Sequence, residues 1–348
     1  ARLRRISRYF YNMPPRDVPG RYLYVCDGDT VWNPGYRPVK QKLDYYQCRH
    51  GLGYSVITGR LKDLEVETAY FVPADIDAES WAVKATNRSG VVKTVDLFSY
   101  IEFCLWNALD DSTNFQRNWN IGEVEVEGSA IYHKTEYRER RNHYAYFWCS
   151  RPIVGFDTSR DVFLGNLNDY GSPEAVQARR AFDSIAHGWA PIGSHQVRLT
   201  LNPGRCELLH FVLGYAENPQ DRKFIAPNVI RKAPSQSVLD QLKTDRQIQD
   251  KLSDLKQYWG RTLGGLQVDI DNPTVRRMVN TWNQYQCMVT FNVSRSASSF
   301  ESGIGRGLGF RDSNQDLLGA VHIVGDRGRQ RIVDLASTQN ADGSCYHQ

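Results

Sequence analysis

The residues best suited to chemistry fall between positions 290 and 319. Arg295 sits among Ser294, Ser296 and Ser298. Arg306 lies in a run that carries Gly303, Gly305, Gly307 and Gly309, and Arg311, Asp312, Gln315 and Asp316 follow. An arginine fork grips phosphate through two parallel N–H groups. A carboxylate accepts two hydroxyl hydrogens, which suits a sugar. The alternating glycines let the backbone take positive φ and approach a ligand closely. Few of these residues can build a core, so the stretch reads as an ordered loop between helices, a place where a rigid scaffold presents binding groups. The residue types fit a polyhydroxylated or anionic ligand; an internal Arg–Asp network that ties the loop down is the other reading. The glycines are not a dinucleotide fingerprint, since no strand precedes them.

The elements that must hold this loop change character along the chain. Residues 21–25, 66–72, 121–126, 195–201 and 208–213 alternate apolar and polar side chains. Turn signals at Asp27-Gly28, Asn33-Pro34-Gly35 and Asn202-Pro203-Gly204 separate them. Many strands at short spacing predict an N-terminal antiparallel β-sandwich over 1–225, with one helical insert near 172–182. The alternation at 1–8 predicts a strand with one solvated face. Beyond Pro234, Val238, Leu239, Leu242, Ile248, Leu252, Leu255 and Trp259 recur at helical spacing. Ser235 or Ser237 is placed to cap that segment and Gly264-Gly265 to end it, giving a helical linker over 226–266. Pro273 then opens a helix with Val275, Met278, Val279, Trp282 and Met288 on its apolar face. Further helices are expected at 316–324 and 326–336, so 267–348 reads as a helical domain.

Composition narrows the class. The 348 residues leave room for two domains. A net charge of +4 is too small to argue for nucleic acid. The seven cysteines (26, 48, 104, 149, 206, 287, 345) contain no C-x-x-C pair, which argues against a disulfide framework and a zinc site. No apolar run is long enough to span a membrane. We expect a reduced, cytoplasmic protein with no membrane partner, no metal and no cofactor.

The central stretch also carries a resemblance. Asn283-Gln284-Tyr285-Gln286-Cys287-Met288-Val289-Thr290-Phe291-Asn292, Ser294-Arg295-Ser296-Ala297-Ser298 and Gly309-Phe310-Arg311-Asp312-Ser313-Asn314-Gln315-Asp316 resemble the inverting disaccharide phosphorylases of glycoside hydrolase family 94. The similarity reaches back through Ile131-Tyr132-His133-Lys134-Thr135-Glu136-Tyr137-Arg138 and Arg49-His50-Gly51-Leu52-Gly53-Tyr54, and so covers essentially the whole chain.

The resemblance implies that 267–348 is the first part of an (α/α)6 barrel and that the chain is the N-terminal portion of a longer enzyme. It implies cleavage of cellobiose by inorganic phosphate, a co-substrate, to α-glucose 1-phosphate and glucose. Arg295 aligns with a phosphate-binding arginine, and Arg306 and Asp312 with residues that hold the donor sugar. Arg311 and Gln315 are further candidates, and Asp316 is either another or a cap of the following helix. Glu301 reads as a partner for an arginine. The family's sandwich domain reaches across a homodimer interface, a role for which Asn107 and Arg117 are candidates, a structural turn being the alternative. No residue here is assigned as the catalytic acid, which the family places beyond Gln348, so the chain alone is expected to be inactive.

Overall fold

The computed structural model describes residues 6–7, 20–104, 122–134, 142–188, 190–293 and 309–347. Arg295, Arg306, Glu301, Asn107 and Arg117 lie outside the described residues, as does the 1–8 strand apart from Ile6 and Ser7, the second of which bridges Phe103. The chain divides into two compact units that part between residues 255 and 256.

The first unit is a sandwich of two antiparallel sheets. One holds β11 (Gly155–Ser159), β12 (Pro191–Leu201), β7 (Lys93–Glu102), β1 (Tyr22–Asp27) and β2 (Thr30–Trp32), in that order. The other runs β3 (Tyr45–Gly51), β4 (Tyr54–Leu61), β5 (Leu64–Phe71), β6 (Ala78–Asn87), β13 (Cys206–Glu217), β10 (His143–Cys149), β9 (Ala130–Lys134) and β8 (Glu123–Glu127). Side chains of a strand face alternately, and β1 shows the consequence. Leu23 and Val25 enter the core between the sheets with Trp81, Leu97, Phe147 and Phe211. Tyr24 and Cys26 enter a second core with Phe98, Tyr100 and Ile192. That second core is closed by Phe163 of α1 (Arg160–Leu164) and by Ala175 and Val176 of α2 (Glu174–Gln177). Within the expected helical insert at 172–182 only the four residues of α2 are helical, and α1 lies before it. α2 stops early because Arg179 and Asp183 take φ of 55° and 53°, outside helical space.

Gly59 marks a close approach. A Cβ there would lie 2.7 Å from both Cα and the carbonyl oxygen of Pro34, and backbone cannot rotate aside. Gly59→Ala is expected to destabilise the sandwich by about 1–3 kcal/mol. An unchanged urea midpoint would contradict this.

The segment after Pro234 forms two helices rather than one: α3 (Ala233–Leu239) and α4 (Asp245–Gly264). Ser235 does not cap α3 but lies inside it. Its hydroxyl donates to the Lys232 carbonyl at 2.8 Å and accepts from Tyr144 at 3.0 Å. The break comes from a capping box. Gln247 Oε1 accepts from Thr244 N–H at 3.0 Å, while Thr244 Oγ accepts from Gln247 N–H at 3.3 Å, which starts a new helix at that point. α4 continues across the boundary between the units.

In the second unit, α5 (Pro273–Arg277) passes through a π-helical turn (Met278–Asn283) into α6 (Gln284–Val293). Val275, Met278 and Trp282, expected on a buried face, are 42%, 43% and 50% exposed; Met288 is buried. The extra residue per turn of the π segment shifts the phase of that apolar stripe. α7 (Phe310–Val324) begins six residues earlier than expected, while α8 (Asp326–Ala336) occupies the predicted span.

Candidate functional site

The early start of α7 puts Asp312 in its first turn rather than in a loop. Gly309 is the N-cap and provides no side-chain cap. A carboxylate in this position faces the positive end of the helix dipole, so the site suits it electrostatically. Asp312 is 20% exposed, and its Oδ1 lies 3.3 Å from Nη2 of Arg311, whose own side chain is 84% exposed. A Cβ on Gly309 would lie 3.0 Å from Asp312 Oδ2 and 3.5 Å from the His347 carbonyl oxygen. That carbonyl accepts from Phe310 N–H at 3.4 Å, so the chain at 347 returns to the start of α7. Gly309 thus leaves open the space beside the carboxylate.

Gln315 is exposed one turn beyond Arg311 on the same face of α7, and Asp316 is one turn beyond Asp312. Asp316 is within the helix and does not cap it. The structure therefore brings together Arg311, Asp312 and Gln315 at the exposed start of one helix. Arg295 and Arg306 lie outside the described residues.

The frame on either side of 294–308 is rigidly built. Phe291 of α6 packs on Leu317, Ala320 and Val324 of α7, and Cys287 Sγ occupies the space a Cβ on Gly319 would need. Two arginines of α8, which the sequence reading did not single out, hold the end of α6. Arg331 stacks on the Phe291 ring at 4.6 Å and Arg327 at 5.3 Å. Arg327 donates to the Asn292 side chain, and Arg331 to the Phe291 carbonyl at 3.5 Å. Cations at a helix C-terminus complement its dipole; the spacing of Arg327 and Arg331 on one helical face was the signal available in the sequence.

Gln284 and Asn280 fix the other end of this assembly. Asn280 exchanges two hydrogen bonds with the Val268 backbone, at 2.8 and 2.9 Å. Gln284 donates to the Leu266 carbonyl at 2.9 Å and its Oε1 lies 3.2 Å from His322 Nε2.

In the sandwich, the strands that lead towards 105–121 and 135–141 end in buried charge. Glu102, at the end of β7, accepts from Tyr100 at 2.8 Å and Tyr170 at 2.7 Å. Lys134, at the end of β9, lies 3.1 Å from Glu125 and 3.4 Å from Glu123, and donates to the Asn228 carbonyl. These contacts anchor both strand ends. A surface cleft of about 350 Å³ lined by Arg151, Pro152, Arg198, Leu199, Thr200 and Glu207 contains none of the residues singled out from the sequence. Among the described residues, no helix is long and apolar enough to cross a membrane.

Comparison with known proteins fits this division. Residues 1–229 match the supersandwich domain of glycosyl hydrolase 94, and residues 258–348 match the catalytic domain of the glycosyl hydrolase 94 superfamily. An N,N'-diacetylchitobiose phosphorylase of Vibrio proteolyticus is 30% identical over 95% of this chain and 40% of its own length. A solabiose phosphorylase of Paenibacillus borealis is 26% identical over 93% of this chain and 40% of its own. The chain thus spans about 40% of the length of these curated relatives, and neither is named for cellobiose. A bacterial glucoamylase solved with acarbose shares the fold, with a TM-score of 0.56 at 11% identity, over 94% of this chain and 45% of that one. On the supersandwich match, which takes in more than half of its residues, the chain belongs to the glycosyl hydrolase 94 family.

Proposed function

We propose that the enzyme carrying this chain is an inverting disaccharide phosphorylase. An inverting glycosidase needs one carboxyl group as acid and a second as base to activate water. In phosphorolysis the phosphate is itself the nucleophile, so a cationic pocket replaces the second carboxylate. Phosphate attacks C1 of the donor sugar from the face opposite the leaving group, which is protonated as it departs. The products are an α-sugar 1-phosphate and a free sugar.

Arg295 holds the phosphate, and Arg306 and Asp312 hold the donor sugar. Arg311 and Gln315 line the approach. The observation that carries this reading is the placement of Asp312: a carboxylate held at a helix N-terminus, beside Arg311 and next to a glycine that leaves it space, in a member of this family. Inorganic phosphate is a co-substrate, and no cofactor is required. The enzyme works as a cytoplasmic homodimer to which Asn107 and Arg117 contribute from the sandwich.

The motif strings favour cellobiose as substrate. A second reading, N,N'-diacetylchitobiose, is favoured by two Vibrio relatives that carry that name at 30% and 27% identity. The test is phosphorolysis of a panel of β-linked disaccharides by the enzyme that carries this chain, followed by NMR of the anomeric proton. We expect α-sugar 1-phosphate from cellobiose in the presence of phosphate and no turnover without it. Release of free donor sugar into water, or a β-phosphate product, would refute inverting phosphorolysis. Turnover of the N-acetylated disaccharide alone would select the second reading.

A further inference from the structure

One nucleophilic cluster takes no part in the reaction above. β3 is an edge strand of the eight-stranded sheet, and Tyr45, Tyr46, Gln47, Arg49 and His50 on it are exposed. Cys48 and His50 are two residues apart and therefore share a face. Ser55 stands opposite His50 on β4. Cys48 Sγ lies 3.3 Å from His50 Nε2, and His50 Nδ1 lies 2.8 Å from Ser55 Oγ. A hydroxyl that accepts from Nδ1–H fixes the ring and leaves the Nε2 lone pair turned to the thiol. Nucleophile, base and orienting group in this order are the arrangement that activates a thiol.

All seven cysteines are free thiols, and they differ in surroundings. Cys26 and Cys149 are buried, and burial pushes each thiol up to about 12, which keeps them inert. Cys104 is buried too, and Cys287 packs against Gly319. Cys206 is the more exposed thiol, yet among the described residues it has no imidazole beside it.

We propose that Cys48 is a modification site for small-molecule disulfides, formed by thiol–disulfide exchange. His50 Nε2 takes the proton from Sγ, and the thiolate attacks one sulfur of RS–SR. The S–S bond of the reagent breaks as the Cys48 Sγ–SR bond forms. The other sulfur leaves as a thiolate and takes the proton back from the imidazolium. Cys48 is oxidised and half of the reagent is reduced to thiol, so no further oxidant is needed.

The experiment is a timed exposure of the folded enzyme that carries this chain to oxidised glutathione, quenched with acid and mapped by peptide mass spectrometry. Cys48 is expected to carry the glutathionyl group about 10-fold or more ahead of the more exposed Cys206. His50→Gln should slow Cys48 by about 10-fold and leave Cys206 unchanged, while Ser55→Ala should slow Cys48 less. Circular dichroism checks that each variant is folded. Should His50→Gln not fold, the ranking in the unsubstituted chain decides alone. Modification of Cys206 or Cys345 as fast as Cys48, or an unchanged Cys48 rate in folded His50→Gln, would overturn the proposal.

Discussion

Asp312→Ala, in the enzyme that carries this chain, is expected to lower kcat/KM for the disaccharide about 10- to 100-fold at every phosphate concentration. A hydrogen bond to a charged group contributes about 1.5–3 kcal/mol, and each 1.36 kcal/mol is a factor of ten in rate. The same residue also favours the helix by its position in the first turn of α7, but that effect is about 0.3–1 kcal/mol. Thermal stability should therefore fall by a few degrees at most while catalysis falls far more. The two readouts separate a sugar-holding carboxylate from one that only completes a helix. Arg306→Ala should follow the same pattern. Arg295 should differ: Ala there removes charge and fork, Lys keeps the charge, and KM for phosphate should rise more in Arg295→Ala than in Arg295→Lys while KM for the disaccharide moves little. Near-normal kcat/KM in both Asp312→Ala and Arg306→Ala would dismiss the donor site. A rise confined to the disaccharide KM in Arg295→Ala would move that arginine to the sugar.

Much of this architecture is legible in the sequence because the sandwich obeys a period of two. Strands such as β5 and β12 appear where alternation predicts them, and α8 appears where a helical period predicts it. The misreadings have local causes. The segment 235–259 keeps helical spacing through a capping box at Thr244 and Gln247, so periodicity alone joins two helices that hydrogen bonds separate. The start of α7 was hidden because Gly309, Arg311 and Asp312 resemble loop residues, and only the return of the chain at His347 shows where the helix begins. The π turn at Met278–Asn283 carries no recognisable residue signature, and it makes an apparent apolar face into a largely exposed one. The arginines that brace Phe291 were overlooked for a different reason. Charge on a helix usually means a solvated face, so the four-residue spacing of Arg327 and Arg331 shows that they share a face but not that they turn back over a ring.

The sandwich unit should lose much of its stability as pH falls from about 6.5 to 5, well above the range in which carboxylates titrate. His133 and His195 are both buried and held near 3, chiefly by loss of solvation. Among the described residues neither nitrogen of His133 has a hydrogen-bond partner, its ring stacks on Phe103 at 5.0 Å, and the neighbouring His143 and the positive charge of Lys223 depress it further. His195 is wedged between Phe147 and Phe211, with Nδ1 3.1 Å from Ser99 Oγ. In the unfolded chain both titrate near 6.5. The folded state therefore binds fewer protons than the unfolded state between about 6.5 and 3. The stability that goes with neutral imidazoles is complete above 6.5, is lost as pH falls through that window, and falls no further below the folded values. By pH 5 each group costs about 2 kcal/mol, a large share of the roughly 5–15 kcal/mol that holds a domain together. His210 adds less: burial lowers it, but Asp245 at 2.6 Å opposes the shift. Urea midpoints measured at pH 7.5, 6.5 and 5.5 should fall steeply over the last unit. His133→Phe, which keeps the stack on Phe103 and removes the proton site, should flatten that fall without lowering the midpoint at pH 7.5. A midpoint that stays level from 7.5 to 5.5, or an equal slope in folded His133→Phe, would show that these histidines do not set the acid limit of the sandwich.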